Sequence, residues 1–108
     1  MNEKENILQQ FQTYQQQLQA VMIQKETLKV QQMEIENALE ELKEAKGDAY
    51  KIVGSIMVKK PVEQIRNELE AKKNNLEVRI KMLEKTENKL TEKLKELQPK
   101  IQDMLKKS

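Results

Sequence analysis

Apolar residues recur at alternating spacings of three and four along two long stretches of this chain. In residues 1–46 they fall at Ile7, Phe11, Tyr14, Leu18 and Val21, then at Leu28, Ile35, Leu39 and Leu42. Written as heptads, Phe11, Leu18 and Leu39 are a positions, with Lys25 and Gln32 as polar members of the same series. Ile7, Tyr14, Val21, Leu28, Ile35 and Leu42 are d. The second stretch is more regular: Leu69, Leu76, Leu83, Leu90 and Leu97 stand seven apart, with Val62 before them and Met104 after. Ile80, Leu94 and Ile101 supply a positions there, and Arg66, Lys73 and Glu87 are the polar exceptions. An apolar period of 3.5 residues keeps one stripe of a helix turned toward a partner helix, so both stretches predict coiled coil.

The helix breakers lie almost wholly between the two stretches. Gly47, Gly54 and Pro61 fall in one central segment, and Pro99 stands near the C-terminus. Gly47 suits the left-handed position that ends a helix, with Lys43 and Lys46 in the last turn; Pro61 suits a helix's first turn. The residues between them are β-branched and aromatic, and Gly54-Ser55 reads as a two-residue type II′ turn. It pairs Val53 with Ile56, Ile52 with Met57, Lys51 with Val58 and Tyr50 with Lys59. The expected fold is therefore all-α dominated: an antiparallel two-helix coiled coil with a short β-hairpin at the bend. Its parts are a helix over 1–46, a hairpin element over 47–60 and a helix over 61–108. So short a connector makes the helices antiparallel neighbours, with partner numbers summing to about 108 and arms of ~65 Å. In that register Lys25 and Glu87 occupy adjacent layers and can pair; polar layers of this kind fix register at some cost in stability.

Composition agrees with long helices. Charged residues make up 35% of the chain and aromatics 3%, which is too little bulk for a compact globule of 108 residues. The net charge is +2 with both signs interspersed, so no basic stripe marks a nucleic-acid surface. No apolar run is long enough to span a membrane. The first residues lack the basic start and apolar middle of a secretion signal, and there is no cysteine. A cytoplasmic location is expected.

The same inventory argues against catalysis. Without His or Cys the usual nucleophile–base pairs are unavailable. Carboxylates are plentiful, but a narrow coiled coil has no cleft in which to perturb them. No phosphate-cradling glycine loop and no metal-ligand spacing occur. No catalytic residues, metal or cofactor are expected, and the chain is expected not to be an enzyme.

Three features bear on binding. The hairpin carries Tyr50, Ile52 and Met57 on one face and Val53, Ile56 and Val58 on the other. It can serve as a local cap on the bend. However, an isolated two-stranded hairpin is marginal in water, and open edges invite pairing, so oligomerisation through these six residues is favoured. Second, Asn6 to Gln24 has no ionisable group except the Tyr14 phenol, and Leu8, Met22, Ile23 and Leu105 sit off the seam. That face is either a well-solvated glutamine helix with scattered apolar residues, or a weakly hydrated surface for varied partners. Third, Pro99 sits in helical register and denies the Lys95 carbonyl its donor. It marks either terminal fraying or an adaptable tip.

These residues resemble the beta-type subunits of the prefoldin family, in their archaeal form, over essentially the whole chain. The resemblance rests on Tyr-Lys-Ile-Val-Gly-Ser-Ile-Met-Val-Lys at 50–59, on Leu-Glu-Val-Arg-Ile-Lys-Met-Leu-Glu at 76–84 and on Lys-Leu-Thr-Glu-Lys-Leu-Lys-Glu-Leu at 89–97. It implies a hexamer of two alpha-type and four beta-type chains whose hairpins build a β-barrel platform. It also implies coiled-coil tips that grip unfolded client proteins and deliver them, without ATP, to a group II chaperonin. Carried onto this chain, Tyr50, Ile52, Val53, Ile56, Met57 and Val58 form the platform, and Ile7, Leu8, Phe11, Ile101, Met104 and Leu105 the client-facing tip. The implied partners are an alpha-type subunit, further copies of this chain, clients and chaperonin, with no nucleic acid and no membrane. The rival reading is a plain coiled-coil spacer without clients.

Overall fold

A computed structural model describes residues 2–107. The element order is α1 (Glu3–Glu41), β1 (Asp48–Val53), β2 (Ile56–Pro61) and α2 (Val62–Lys106). Two long helices flanking an antiparallel hairpin are the architecture that the heptads and the Gly54-Ser55 turn predict. By their contacts the described residues form two compact units. A terminal unit joins residues 2–27 to 81–107, and a hairpin unit comprises residues 28–80.

In the terminal unit, α1 starts on a cap. The Glu5 N–H donates to Asn2 Oδ1 at 2.8 Å, satisfying one of the orphan donors of the first turn, and Glu3 and Glu5 place negative charge there. Every residue assigned to a or d in this unit is buried or half-buried; Leu90 and Leu97 are the most enclosed. The helices run antiparallel. Ile7 and Met104 line one cleft, and Lys25 pairs with Glu87, so α1 numbers rise as α2 numbers fall. These partner numbers sum to 111 and 112, three and four above the expected 108. Pro99 sits inside α2, which continues through it to Lys106.

In the hairpin unit, the seam is anchored by Leu28, Ile35, Leu76 and Ile80, all buried. Leu39, Leu42, Leu69, Gln32 and Lys73 are half-buried, as a and d positions should be. Val62, 2% exposed, and Ile65 extend this core to the foot of the hairpin. Ile65 stands at a g position, so the apolar stripe widens there beyond what the heptads indicate.

The element boundaries correct the sequence reading at the bend. Helix α1 ends at Glu41, not at 46, so Lys43 and Lys46 lie beyond its last turn. The chain tightens there into i→i+3 turns: the Lys43 N–H donates to Glu40 O at 3.2 Å, and the Ala45 N–H to Leu42 O at 3.1 Å. The Arg66 guanidinium also binds the carbonyls of this turn, donating to Leu42 O, which already accepts the Ala45 N–H, and to Ala45 O, while its other nitrogen pairs with Glu63. Arg66 thus works as a cap on the other helix's C-terminus rather than as a mere polar interruption of the seam. Gly47 does adopt positive φ, +84°, where the chain swings into β1. Pro61 ends β2 instead of opening α2. It has no N–H to leave unpaired at a strand end, and the Val62 N–H that follows donates to Gly47 O at 2.8 Å.

Candidate functional site

The hairpin forms because its turn needs glycine and has it. Gly54 sits at φ +61°, and among the described residues none other than glycine has positive φ, so the turn has the II′ pattern rather than I′. The strand register is Val53↔Ile56, Ile52↔Met57, Lys51↔Val58 and Tyr50↔Lys59, as expected, and it continues through Ala49↔Lys60 to Asp48↔Pro61. Alternation then sorts the side chains. Asp48, Tyr50, Ile52, Met57, Lys59 and Pro61 share one face; Ala49, Lys51, Val53, Ile56, Val58 and Lys60 share the other.

The two faces are not equivalent. On the second face, Ala49, Val58 and Lys60 are half-buried. Lys60 Nζ lies 2.9 Å from Glu68 Oε1, and Lys51 Nζ 3.1 Å from Glu68 Oε2. One α2 carboxylate is therefore held by a lysine from each strand. Hydrogen bonds from Lys60 and then Lys51 hold the Glu68 carboxyl below its ordinary value. The first face has no such cover. Tyr50, Ile52 and Met57 are exposed there, Ile52 at 72%, above an Asp48–Lys59 ion pair. Val53 and Ile56, near the turn on the second face, are exposed too. The described residues hold a two-stranded sheet, so each strand keeps an open edge. Open strand edges and exposed apolar patches are, as a general rule, features that pairing or packing with further structure covers.

The six expected tip residues separate into two groups in the terminal unit. Leu8 and Leu105 are exposed, at 48% and 69%, whereas Ile7, Phe11, Ile101 and Met104 are half-buried seam residues. Ile7 and Met104 meet in a cleft of about 600 Å³ that is rimmed by Glu3, Lys4, Lys100 and Asp103. That rim is more charged than the apolar pattern of the tip suggests. A second groove, of about 580 Å³, is lined by Gln15, Leu18, Gln19, Met22, Ile23, Glu26 and Leu94. Glu26 is its one charged residue, and Met22 and Ile23 stand half or more exposed beside it. The sequence signal for this groove was the charge-free run with two apolar residues off the seam, but that signal alone did not place a concavity there.

Among the described residues no cluster of acidic side chains is arranged to hold a metal, and no helix is long and apolar enough to cross a membrane.

These features define a class: a helix–hairpin–helix chain whose hairpin leaves apolar side chains exposed beside open strand edges. The prefoldin subunit family model matches residues 5–108. The prefoldin subunit beta of Archaeoglobus fulgidus is 42% identical over 103 residues, which cover 94% of this chain and 89% of that protein. That of Pyrococcus furiosus is 43% identical over 102 residues, covering 93% and 87%. The crystal structure of the prefoldin beta subunit from Thermococcus strain KS-1 superposes with a TM-score of 0.85 at 39% identity, over 97% of this chain and 94% of that one. The chain belongs to the prefoldin family, in the line of its beta subunits. It is accordingly a non-enzymatic chaperone subunit, and its assembly is a hetero-oligomer with other prefoldin subunits.

Proposed function

We propose that this chain is an ATP-independent holdase subunit, which binds non-native proteins through its terminal unit and passes them to a group II chaperonin. In this reading it works in the cytoplasm, within a hexamer of two alpha-type and four beta-type chains. Tyr50, Ile52, Val53, Ile56, Met57 and Val58 build the joint between subunits. The observation that carries the reading is exposed apolar surface in the terminal unit of a prefoldin chain: Leu8 and Leu105 in the open, and Met22 and Ile23 beside a nearly charge-free groove.

The physics favours weak, repeated contacts. Full burial of Leu8 or Leu105 contributes roughly 1.5–3 kcal/mol each. One such site therefore gives about millimolar binding at best, before the cost of association is subtracted. Several terminal units in one complex raise the effective concentration of the second and later contacts. Binding then becomes useful without becoming shape-specific, and release proceeds one contact at a time. Methionine suits such a surface because its unbranched, polarisable side chain adapts to varied neighbours. The glutamine-rich face between Asn6 and Gln24 adds no charge that a client would have to desolvate. The groove at Met22 and Ile23 extends the client-facing surface beyond Ile7, Leu8, Phe11, Ile101, Met104 and Leu105.

Light scattering from a heat-aggregating client, with the assembled complex present and ATP absent, tests this reading. A holdase lowers the scattering in proportion to the complex added; a coiled-coil spacer leaves it unchanged.

A further inference from the structure

We propose that Glu68 is a positioning residue for assembly: clamped by Lys51 and Lys60, it seats one face of the hairpin on α2 and so commits the opposite face, Tyr50, Ile52 and Met57, to the hairpin of another prefoldin subunit. The inference rests on the hairpin being the joint between subunits, and goes beyond it by naming which face is offered and what fixes it.

Three observations converge on this assignment. Lys51 and Lys60 come from different strands but share a face, because their partners across the ladder are Val58 and Ala49. Both reach the same carboxylate, each taking a different oxygen, within 3.1 Å. The half-buried hairpin residues, Ala49, Val58 and Lys60, all belong to that face, although Val53 and Ile56 beside the turn stay exposed on it; Tyr50, Ile52 and Met57 of the other face are all more than 60% exposed. A two-stranded sheet has little resistance to twisting on its own. A single carboxylate bridging both strands restricts the roll of the sheet about its own axis, which neither ion pair achieves alone. The occupant is another subunit's hairpin, because the chain is a subunit of a prefoldin complex and strands added at either open edge continue the sheet that carries this face.

The test is a charge-reversal cycle read by assembly. Glu68→Lys, Lys51→Glu with Lys60→Glu, and the triple reversal of all three are each mixed with the alpha-type partner. Complex mass is followed against concentration by light scattering, and helicity by circular dichroism. Glu68→Lys sets three ammonium groups together and should raise the concentration for half-assembly on the order of tenfold with helicity kept. The Lys51→Glu and Lys60→Glu pair should do the same with three carboxylates. The triple reversal should return assembly to within about threefold of wild type. A surface that merely tolerates charge gives no such rescue. The clamp is overturned if Glu68→Lys assembles like wild type, or if the triple reversal remains as defective as the single. Ile52→Asp with Val53→Asp separates this from the underlying reading. If that variant fails to assemble while Glu68→Lys assembles normally, the clamp is wrong and the joint stands; if it too assembles, the joint itself is wrong.

Discussion

Lys25 and Glu87 meet across the two helices of the terminal unit, with Nζ 2.6 Å from Oε2. Both occupy positions where the heptads place apolar residues, and both are largely shielded, with side chains 18% and 25% exposed. Glu87 Oε2 is enclosed with no partner besides the Lys25 ammonium, so the lysine is its compensation. Pairs of this kind set register more than they stabilise, because each ion loses hydration that its partner only partly restores.

Replacing both residues by leucine should therefore raise the thermal midpoint of the assembled protein by a few degrees, roughly what a gain on the order of 1 kcal/mol gives a domain of this size. Lys25→Leu alone should lower it, since Glu87 is then left enclosed without its partner. Calorimetry on the three proteins decides the matter. A midpoint lower in the double variant than in wild type would contradict a seam position for the pair.

The same pair and the hairpin clamp fail at opposite ends of the pH scale. The hydrogen bond to Glu87 is the largest influence on Lys25 and raises its pKa above the ordinary 10.5; partial burial opposes this, and the charges of Glu87, Glu84 and Glu26 add to it. A raised lysine pKa in the folded state stabilises fully below 10.5, and the contribution is lost as pH climbs through the raised value. Glu68 is the converse. Its pKa lies below the ordinary 4.5, so its contribution is present above 4.5 and disappears as pH falls through the lowered value. Denaturant midpoints measured against pH should thus differ between wild type and Glu68→Gln above pH 4.5, and converge below it. Lys25→Met should differ from wild type at neutral pH and converge with it in strong alkali. A difference that persists unchanged through either window would exclude that residue's titration as the cause.

Assembly should depend on the hairpin's apolar residues far more steeply than helicity does. Ile52→Asp with Val53→Asp places a carboxylate on each face, and burying an uncompensated carboxylate in a joint costs several kcal/mol. The seam around Leu28, Ile35, Leu76 and Ile80 is untouched. Circular dichroism should report near-native helix content, and scattering mass should report no complex with the alpha-type partner. Wild-type complex formation by this variant would remove the hairpin from the joint.

The heptads made the seam legible almost residue by residue. From Ile7 to Leu42 and from Val62 to Met104, each a or d position is buried or half-buried, polar ones included. The turn was equally legible, because positive φ at Gly54 and the alternation on either side leave one register. What the pattern did not reveal lies at the bend. The end of α1 at Glu41 depends on Arg66 reaching back from α2 to two carbonyls, a contact between residues more than 20 apart that no local preference encodes. Glu68 looks like any exposed helix carboxylate until the strand faces show Lys51 and Lys60 converging on it. The groove beside Met22 and Ile23 was hidden for a similar reason: an off-seam apolar residue does not reveal whether its neighbourhood is flat or concave.

In the proposed function, exposed apolar residues of the terminal unit hold non-native protein. Leu8→Ser with Leu105→Ser removes the two openly exposed leucines there, both outside the seam, and so changes surface character at little packing cost. The measurement is client aggregation by light scattering at equal concentrations of assembled wild-type and variant complex, with mass confirmed beforehand by size-exclusion chromatography and scattering. The variant should assemble with unchanged mass and protect the client several-fold less, because every terminal unit in the complex weakens together and avidity multiplies the loss. Protection equal to wild type by a fully assembled variant would contradict the claim, and would move the grip away from these leucines.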